Sequence, residues 1–148
     1  AGRGQRPGEV LVQTVHPENP AYARLVEHDF AGFANTALAE RKAADYPPFA
    51  RFVLLRAESA RSGPPLDFLR SAVRAGKAQA ARAGIRLMEP VPSPMERRAG
   101  RYRAQLLLAA SNEGQLHRFL DDWLARLEGL REAARVRWSV DVDPQEMY

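Results

Sequence analysis

Four arginines and a tyrosine lie within seven consecutive residues, two thirds of the way along the sequence. The segment reads Arg97-Arg98-Ala99-Gly100-Arg101-Tyr102-Arg103. Guanidinium groups bind phosphate or carboxylate through paired, charge-assisted hydrogen bonds, and a neighbouring tyrosine can stack on a base or support an apolar side chain. The segment therefore predicts a surface for an anionic ligand. The alternative interpretation is a solvated hairpin rim without a ligand.

Alternation along a strand predicts which of these side chains share a face of the sheet. If a strand begins at Arg101, then Arg101, Arg103 and Gln105 share one face, because side chains alternate along a strand. The alternate residues then point into the core; they are Tyr102, Ala104, Leu106 and Leu108. The candidate binding residues are Arg97, Arg98, Arg101, Arg103 and Gln105.

Other residue patterns argue against chemistry by this chain alone. The sequence has no cysteine, which excludes disulfides, thiolate metal sites and thiol catalysis. No serine lies in a nucleophile-elbow motif, and the three histidines have no metal-like spacing. Gly76-Lys77 lacks the rest of a phosphate-binding loop. We expect Asp141 and Asp143 to pair with Arg137 or its neighbours rather than to bind a cation.

Composition places the chain among ordinary globular proteins. It has 148 residues, of which 45% are hydrophobic and 27% charged, and a formal net charge of +4. This modest excess permits a nucleic-acid or acidic-peptide partner without requiring one. No apolar run approaches the roughly 18 residues of a membrane helix, and no secretory signal is visible, so we expect a cytoplasmic protein without membrane contact.

The first part of the chain predicts a strand followed by a helix. Residues 9–15 form a β-branched run typical of a buried strand, which would need a pairing partner. Asn19 caps a helix with Pro20 at its first position, and apolar spacing continues this helix to about residue 43, either unbroken or bent near Gly32. The double proline after Tyr46 marks the boundary, giving domains 1–45 and 46–148.

The second part alternates strands and helices. We predict strands at 52–58, 85–91, 101–110 and 136–142, with helices at 66–84 and from Ser111 or Asn112 to about Leu127. The order β-α-β-β-α-β predicts an α+β two-layer sandwich, in which two helices cover one face of a mainly antiparallel sheet. Trp123 and Trp138 fall on core faces, and the other sheet face is left partly open for function.

Several strings spread over the chain match one family pattern. They are Ala1-Gly2-Arg3, Pro7-Gly8-Glu9 with His16-Pro17-Glu18-Asn19-Pro20, Ala39-Glu40-Arg41-Lys42 with Pro47-Pro48-Phe49, Pro90-Val91-Pro92-Ser93-Pro94 with Arg98-Ala99-Gly100-Arg101-Tyr102-Arg103 and Gln105, and Val136-Arg137-Trp138 with Asp141-Val142-Asp143-Pro144. Together they resemble the C-terminal region of the bacterial PriA (primosomal protein N′) family of replication-restart helicases. Arg3 matches the last arginine of helicase motif VI. Asn19 and Ala104 depart from the family's usual histidine and tryptophan.

The resemblance implies a fragment of a larger ATP-dependent 3′–5′ DNA helicase. Residues 1–45 would be the remnant of the second helicase lobe, and residues 46–148 a DNA- and partner-binding domain similar in fold to a small ribosomal-subunit protein. The family's ATP, magnesium and zinc sites would lie upstream, so we expect no cofactor, no metal and no catalytic residue in this chain. By motif match, Arg101 and Gln105 would dock the acidic tail of single-stranded DNA-binding protein.

The expected function is therefore non-catalytic binding of fork or branched DNA and of that tail during primosome assembly. The upstream helicase lobes and other primosome proteins would be further partners. One alternative is a pure protein-docking module without direct DNA contact, whose apolar groove would be lined by Leu107 or by the helix at 21–38. A second alternative is a small hydrolytic enzyme, which the residues do not favour.

Overall fold

The computed structural model describes residues 9–145. The chain divides into two compact units, with the boundary after Glu40, a few residues before the expected position at Tyr46. The motif match at Arg3 lies outside the described residues. None of the described helices is both long and apolar enough to cross a membrane.

The first unit contains two helices rather than one continuous helix. Helix α1 spans Pro20–Val26 and α2 spans Phe30–Ala43. The side chain of Asn19 accepts a hydrogen bond from the Ala21 N–H at 2.9 Å, which confirms the predicted cap. The break falls at His28, whose φ of 56° ends the first helix, rather than at Gly32. The Asp29 carboxylate then accepts a hydrogen bond from the Gly32 N–H at the start of α2.

The strand predicted at residues 9–15 does not form. These residues adopt no regular secondary structure, and Val10, Leu11 and Val15 are exposed. A single extended segment gains its backbone hydrogen bonds only from a neighbouring strand, and none of the described residues supplies one here. The β-branched composition is therefore insufficient by itself to make a strand.

The second unit is the α+β sandwich that the sequence predicts, with one additional strand. Its elements are β1 (Arg51–Ser59), α3 (Gly63–Arg82), β2 (Ile85–Leu87), β3 (Val91–Arg98), β4 (Arg101–Ala110), α4 (Glu113–Glu128), a short 3₁₀ helix (Ala133–Arg135) and β5 (Arg137–Val142). The sheet is antiparallel, in the order β2-β4-β1-β5. Strand β3 also pairs with β4, along the edge that β2 uses.

The expectation of a single strand at 85–91 is wrong. Strand β2 stops at Leu87, and β3 begins at Val91 and continues through Pro92 and Pro94. Those prolines look like strand terminators in the sequence. A proline is nevertheless tolerated in an edge strand where its nitrogen faces away from the neighbouring strand, and β3 lies at such an edge.

The core lies between the sheet and the two long helices. From β1, the side chains of Val53, Leu55 and Ala57 face the helices, and alternate residues of β4 do the same. The side chain of Asn112 caps α4 by accepting a hydrogen bond from the Gln115 N–H at 2.9 Å. The apolar stripe of α4 is buried against the sheet and α3; its members are Leu116, Phe119, Leu120, Trp123 and Leu127.

Both tryptophans occupy the predicted core side. Trp123 is fully buried, and its indole N–H donates to the Ala72 carbonyl at 2.9 Å, which fixes α4 against α3. Trp138 on β5 is half-buried and packs on Phe68 with ring centroids 5.8 Å apart. Helices α3 and α4 therefore pack on this face of the sheet. We call the opposite face, which carries the even-numbered residues of β1 and the odd-numbered residues of β4, the open face.

The close approach of α3 to α4 yields a stability prediction. A Cβ atom added at Gly76 would lie 2.5 Å from Trp123 Nε1 and 2.8 Å from its Cδ1. Although alanine is the better helix former, we expect Gly76→Ala to lower the free energy of unfolding by about 1–3 kcal/mol because the indole cannot move freely. Chemical denaturation measures the change.

The matched control is Gly114→Ala in α4, where the nearest atom to the new Cβ is Asn112 Oδ1 at 3.6 Å. This variant should be neutral or slightly stabilising. A Gly76→Ala protein as stable as the unmodified chain would contradict the described packing of the two helices.

Candidate anion-binding surface

A tight hairpin turn positions the arginine cluster. Ala99 and Gly100 connect β3 to β4 with φ values of 49° and 77°, the positive values that a two-residue type I′ turn requires. Arg98 pairs with Arg101 and Arg97 pairs with Tyr102 across the hairpin. Directly paired residues of antiparallel strands project to the same face. The turn therefore separates Arg97 from the other three arginines.

Arg97 projects to the helix-covered side of the sheet. Its guanidinium lies over the Tyr102 ring, 5.3 Å from the centroid, in a cation–π contact. The expectation that all four arginines form one surface is therefore wrong for Arg97. Tyr102, which was expected to face the core, faces that side and is half-buried.

Arg98, Arg101, Arg103 and Gln105 share the open face, as strand periodicity predicts for the last three. Across the sheet, Glu58 of β1 lies opposite both Arg103 of β4 and Arg137 of β5. The distance from Glu58 Oε1 to Arg101 Nε is 3.7 Å, and to Arg137 Nη1 it is 3.9 Å. Both distances exceed hydrogen-bond length. The Glu58 carboxylate thus forms only loose ion pairs with Arg101 and Arg137.

The surface has an excess of positive charge. Five arginines lie on it, Arg56, Arg98, Arg101, Arg103 and Arg137, and they outnumber the carboxylates, among them Glu58 and Asp141. Within residues 9–145, neither Arg98 nor Arg103 has a carboxylate at ion-pairing distance. A depression of about 290 Å³ lies among these residues and is lined by Arg56, Glu58, Arg103, Arg137, Trp138 and Ser139. Such a surface can hold a phosphate or a carboxylate.

Asp141 of β5 and Asp143, which follows β5, pair with β1 rather than with Arg137. Asp141 Oδ2 accepts from Arg56 Nη1 at 2.8 Å, and Asp143 Oδ2 accepts from Arg51 Nη1 at 3.1 Å. Arg51 Nη2 also donates to Glu113 Oε2 at 3.0 Å, which ties β1 to the start of α4. Within the described part of the chain, no group of three or more potential ligands could hold a metal ion.

The opposite end of the open face is apolar. Leu107 of β4 is half-buried and packs against a small cluster of Ala50, Phe52 and Ala109, together with Met88. Gln105 lies between this cluster and the arginines, opposite Arg56 in β1 and Val91 in β3. A ligand that crosses Gln105 would therefore meet cations on one side and apolar side chains on the other.

Sequence reasoning did not identify Arg56, Glu58 and Arg137 as part of this surface. Their alternation was visible, since Arg56 and Glu58 flank the apolar Ala57 in a strand-like run. What places them beside the arginine cluster is the order of the strands, with β1 between β4 and β5. Strand alternation alone does not supply that order.

The comparisons with known proteins agree on one family. The family model described as "Primosomal protein N C-terminal domain" (PriA_C) matches residues 42–145. The replication restart protein PriA of Haemophilus influenzae is 30% identical over 99% of this chain and 20% of the relative. The corresponding proteins of Rickettsia conorii and Bacillus subtilis are 28% and 27% identical, over 100% and 99% of the chain and 22% and 18% of each relative.

Fold and surface together define a small α+β domain with a cationic open sheet face. The chain belongs to the PriA C-terminal domain family, as the arginine-rich strings and the closing strand predicted. It spans about a fifth of the length of the curated relatives that it matches. Among solved structures, the de novo designed protein Foldit4 superimposes with a TM-score of 0.48 at 9% identity, covering 66% of this chain and 99% of the designed one.

Removing the negative charge of Glu58 should increase the affinity of the open face for anions. We expect Glu58→Gln to bind inorganic triphosphate about 2- to 5-fold more tightly, because a surface charge of the wrong sign is worth roughly 0.5–1 kcal/mol to an anion beside it. NMR titration of the full chain measures the affinity. Glu113→Gln, which removes the same charge beside Arg51, should leave it unchanged. Weaker binding by Glu58→Gln would mean that the carboxylate mainly holds the arginines in place.

Proposed function

We propose that this chain is the non-catalytic C-terminal part of a replication-restart DNA helicase. Its open face binds fork or branched DNA and the acidic tail of single-stranded DNA-binding protein during primosome assembly in the cytoplasm. Family membership supports the replication-restart role, and the relatives are themselves replication restart proteins. The observation that carries the binding role is the group of arginines around Glu58, whose carboxylate lies 3.7 Å from Arg101 Nε and 3.9 Å from Arg137 Nη1.

Phosphate contacts explain how the surface would hold DNA. Arg98, Arg101 and Arg103 project from two neighbouring strands of a sheet rather than from a helix that could enter the major groove. Guanidinium contacts to phosphates position a duplex without reading its sequence. We therefore expect binding that depends steeply on salt and weakly on sequence.

Carboxylate contacts explain how the same surface would hold an acidic tail. Arg101 can accept the terminal carboxylate, while the apolar cluster around Leu107 can receive an apolar side chain on the far side of Gln105. This adjacency favours the alternative in which the domain is a pure protein-docking module. The two candidates share Arg101 and differ in whether Arg98 and Arg103 contact the ligand.

The remaining parts of the proposal concern the whole protein. The exposed apolar residues of the first unit, among them Val10, Leu11 and Phe30, are consistent with packing against upstream helicase lobes, which would carry the ATP, magnesium and zinc sites. Other primosome proteins would be further partners. The catalytic residues would then lie in those lobes and not in this chain.

The two faces of the hairpin provide a matched test of DNA binding. We expect Arg98→Ala with Arg103→Ala to reduce the slope of log K against log salt for fork DNA by roughly 1.4–1.8, because two phosphate contacts are lost. Arg97→Ala, from the same hairpin but on the other face, should leave the slope unchanged. Fluorescence anisotropy at several salt concentrations measures each slope. Equal slopes for all variants would show that Arg98 and Arg103 do not contact DNA phosphates.

The same variants separate DNA binding from docking. A peptide with acidic residues and an apolar C-terminal residue is titrated in parallel with the fork duplex, against Arg101→Ala and Gln105→Ala as well. If the variants lose peptide binding but all retain fork binding, the result favours the pure docking module. Loss of both ligands on Arg101→Ala supports one shared surface.

A further inference from the structure

A second groove lies far from the arginine hairpin, on the flank of helix α3. It has a volume of about 600 Å³ and runs between α3 and the short edge strand β2. Its apolar floor is formed by Val73, Ala80, Ile85 and Leu87. Helix α3 contributes Val73 and Ala80, and β2 contributes Ile85 and Leu87. The groove shares no lining residue with the open-face depression around Glu58.

One wall of the groove is cationic. Arg70, Arg74 and Lys77 follow one another at helical spacing along α3 and face Glu89 across the groove. The distance from Arg70 Nη1 to Asp67 Oδ1 is 3.6 Å. Arg74 Nη2 donates a hydrogen bond to the Ser71 hydroxyl at 2.6 Å. Lys77 is exposed and makes no ion pair with any of residues 9–145. The wall thus offers positive charge to whatever occupies the groove.

The other wall is a strand edge with available backbone groups. The Met88 N–H donates to the Leu107 carbonyl at 2.9 Å, which extends the register in which Leu87 pairs with Leu108. Hydrogen-bonding direction alternates along an antiparallel strand, so the N–H and C=O of Leu87 point away from β4. Farther along the same edge, Pro92 and Pro94 supply no N–H groups. That half of the edge is protected against pairing with a further strand, and the β2 half is not.

We propose that this groove binds an extended acidic peptide segment of a partner protein, which adds to β2 as a short strand. Its backbone pairs with Leu87, an apolar side chain rests on the floor between Val73 and Leu87, and flanking carboxylates approach Arg74 and Lys77. A nucleic acid fits these features less well, because the floor is apolar and the backbone groups of Leu87 at the edge of β2 can pair with a peptide strand. The site is additional to the open face and does not depend on the function proposed for it.

The probe is the heptapeptide Thr-Glu-Thr-Leu-Thr-Glu-Thr, blocked at both ends, which places glutamates and leucine on one strand face. It is titrated by NMR against the full chain, beside a peptide in which lysine replaces glutamate. We expect the acidic probe to bind, the basic one not to bind, and amide exchange at Leu87 to slow. The largest shifts should fall at Leu87 and Lys77.

Lys77→Glu should lower the affinity for the acidic probe by about 5-fold or more, because a favourable charge is replaced by a repulsive one. The control Arg118→Glu makes the same change of charge on the exposed surface of α4 and should alter binding by less than about 2-fold. Arg101→Ala should have no effect. Equal losses in Lys77→Glu and Arg118→Glu, shifts centred on residues 101–105, or preferential displacement of the probe by oligothymidylate would each overturn the proposal.

Discussion

The candidate function depends on the incomplete neutralisation of the arginines around Glu58. The carboxylate lies on β1, with Arg103 and Arg137 directly opposite on the two neighbouring strands and Arg101 at 3.7 Å. Because Glu58 pairs only loosely with Arg101 and Arg137, and Arg103 has no ion pair within residues 9–145, these guanidiniums can still bind an external anion. Asp141, the other acid of this surface, is already engaged by Arg56 at 2.8 Å. The excess charge therefore gathers at the hairpin end of the sheet.

The single-sided packing of the sheet makes this arrangement possible. Helices α3 and α4 bury one face through residues such as Leu55, Phe68 and Trp123, so hydrophobic burial stabilises the fold from that side. The open face is then available for polar side chains, with a small apolar cluster only at its far end. The same layering creates the groove beside β2, where α3 meets a sheet edge. The two surfaces thus arise from one architecture.

Local patterns predicted most of the fold, and long-range pairing limited the rest. Helical spacing placed the stripe of α4 and its Asn112 cap, and alternation placed Arg101, Arg103 and Gln105 on one face. The strand expected at residues 9–15 had suitable composition but finds no partner among the described residues. Strand β3 was missed because its prolines resemble terminators unless its edge position is known. Likewise, the opposite projection of Arg97 follows from hairpin register, which the residue types alone do not determine.

The central claim is that Arg98, Arg101 and Arg103 present their guanidiniums together to an anion while Arg97 does not. The most direct measurement follows the Nε–H signals of these four arginines by NMR as fork DNA is added to the full chain. We expect shifts for the three residues on the open face and an unchanged signal for Arg97 over the Tyr102 ring. Equal shifts for all four arginines, or shifts confined to other parts of the chain, would contradict it.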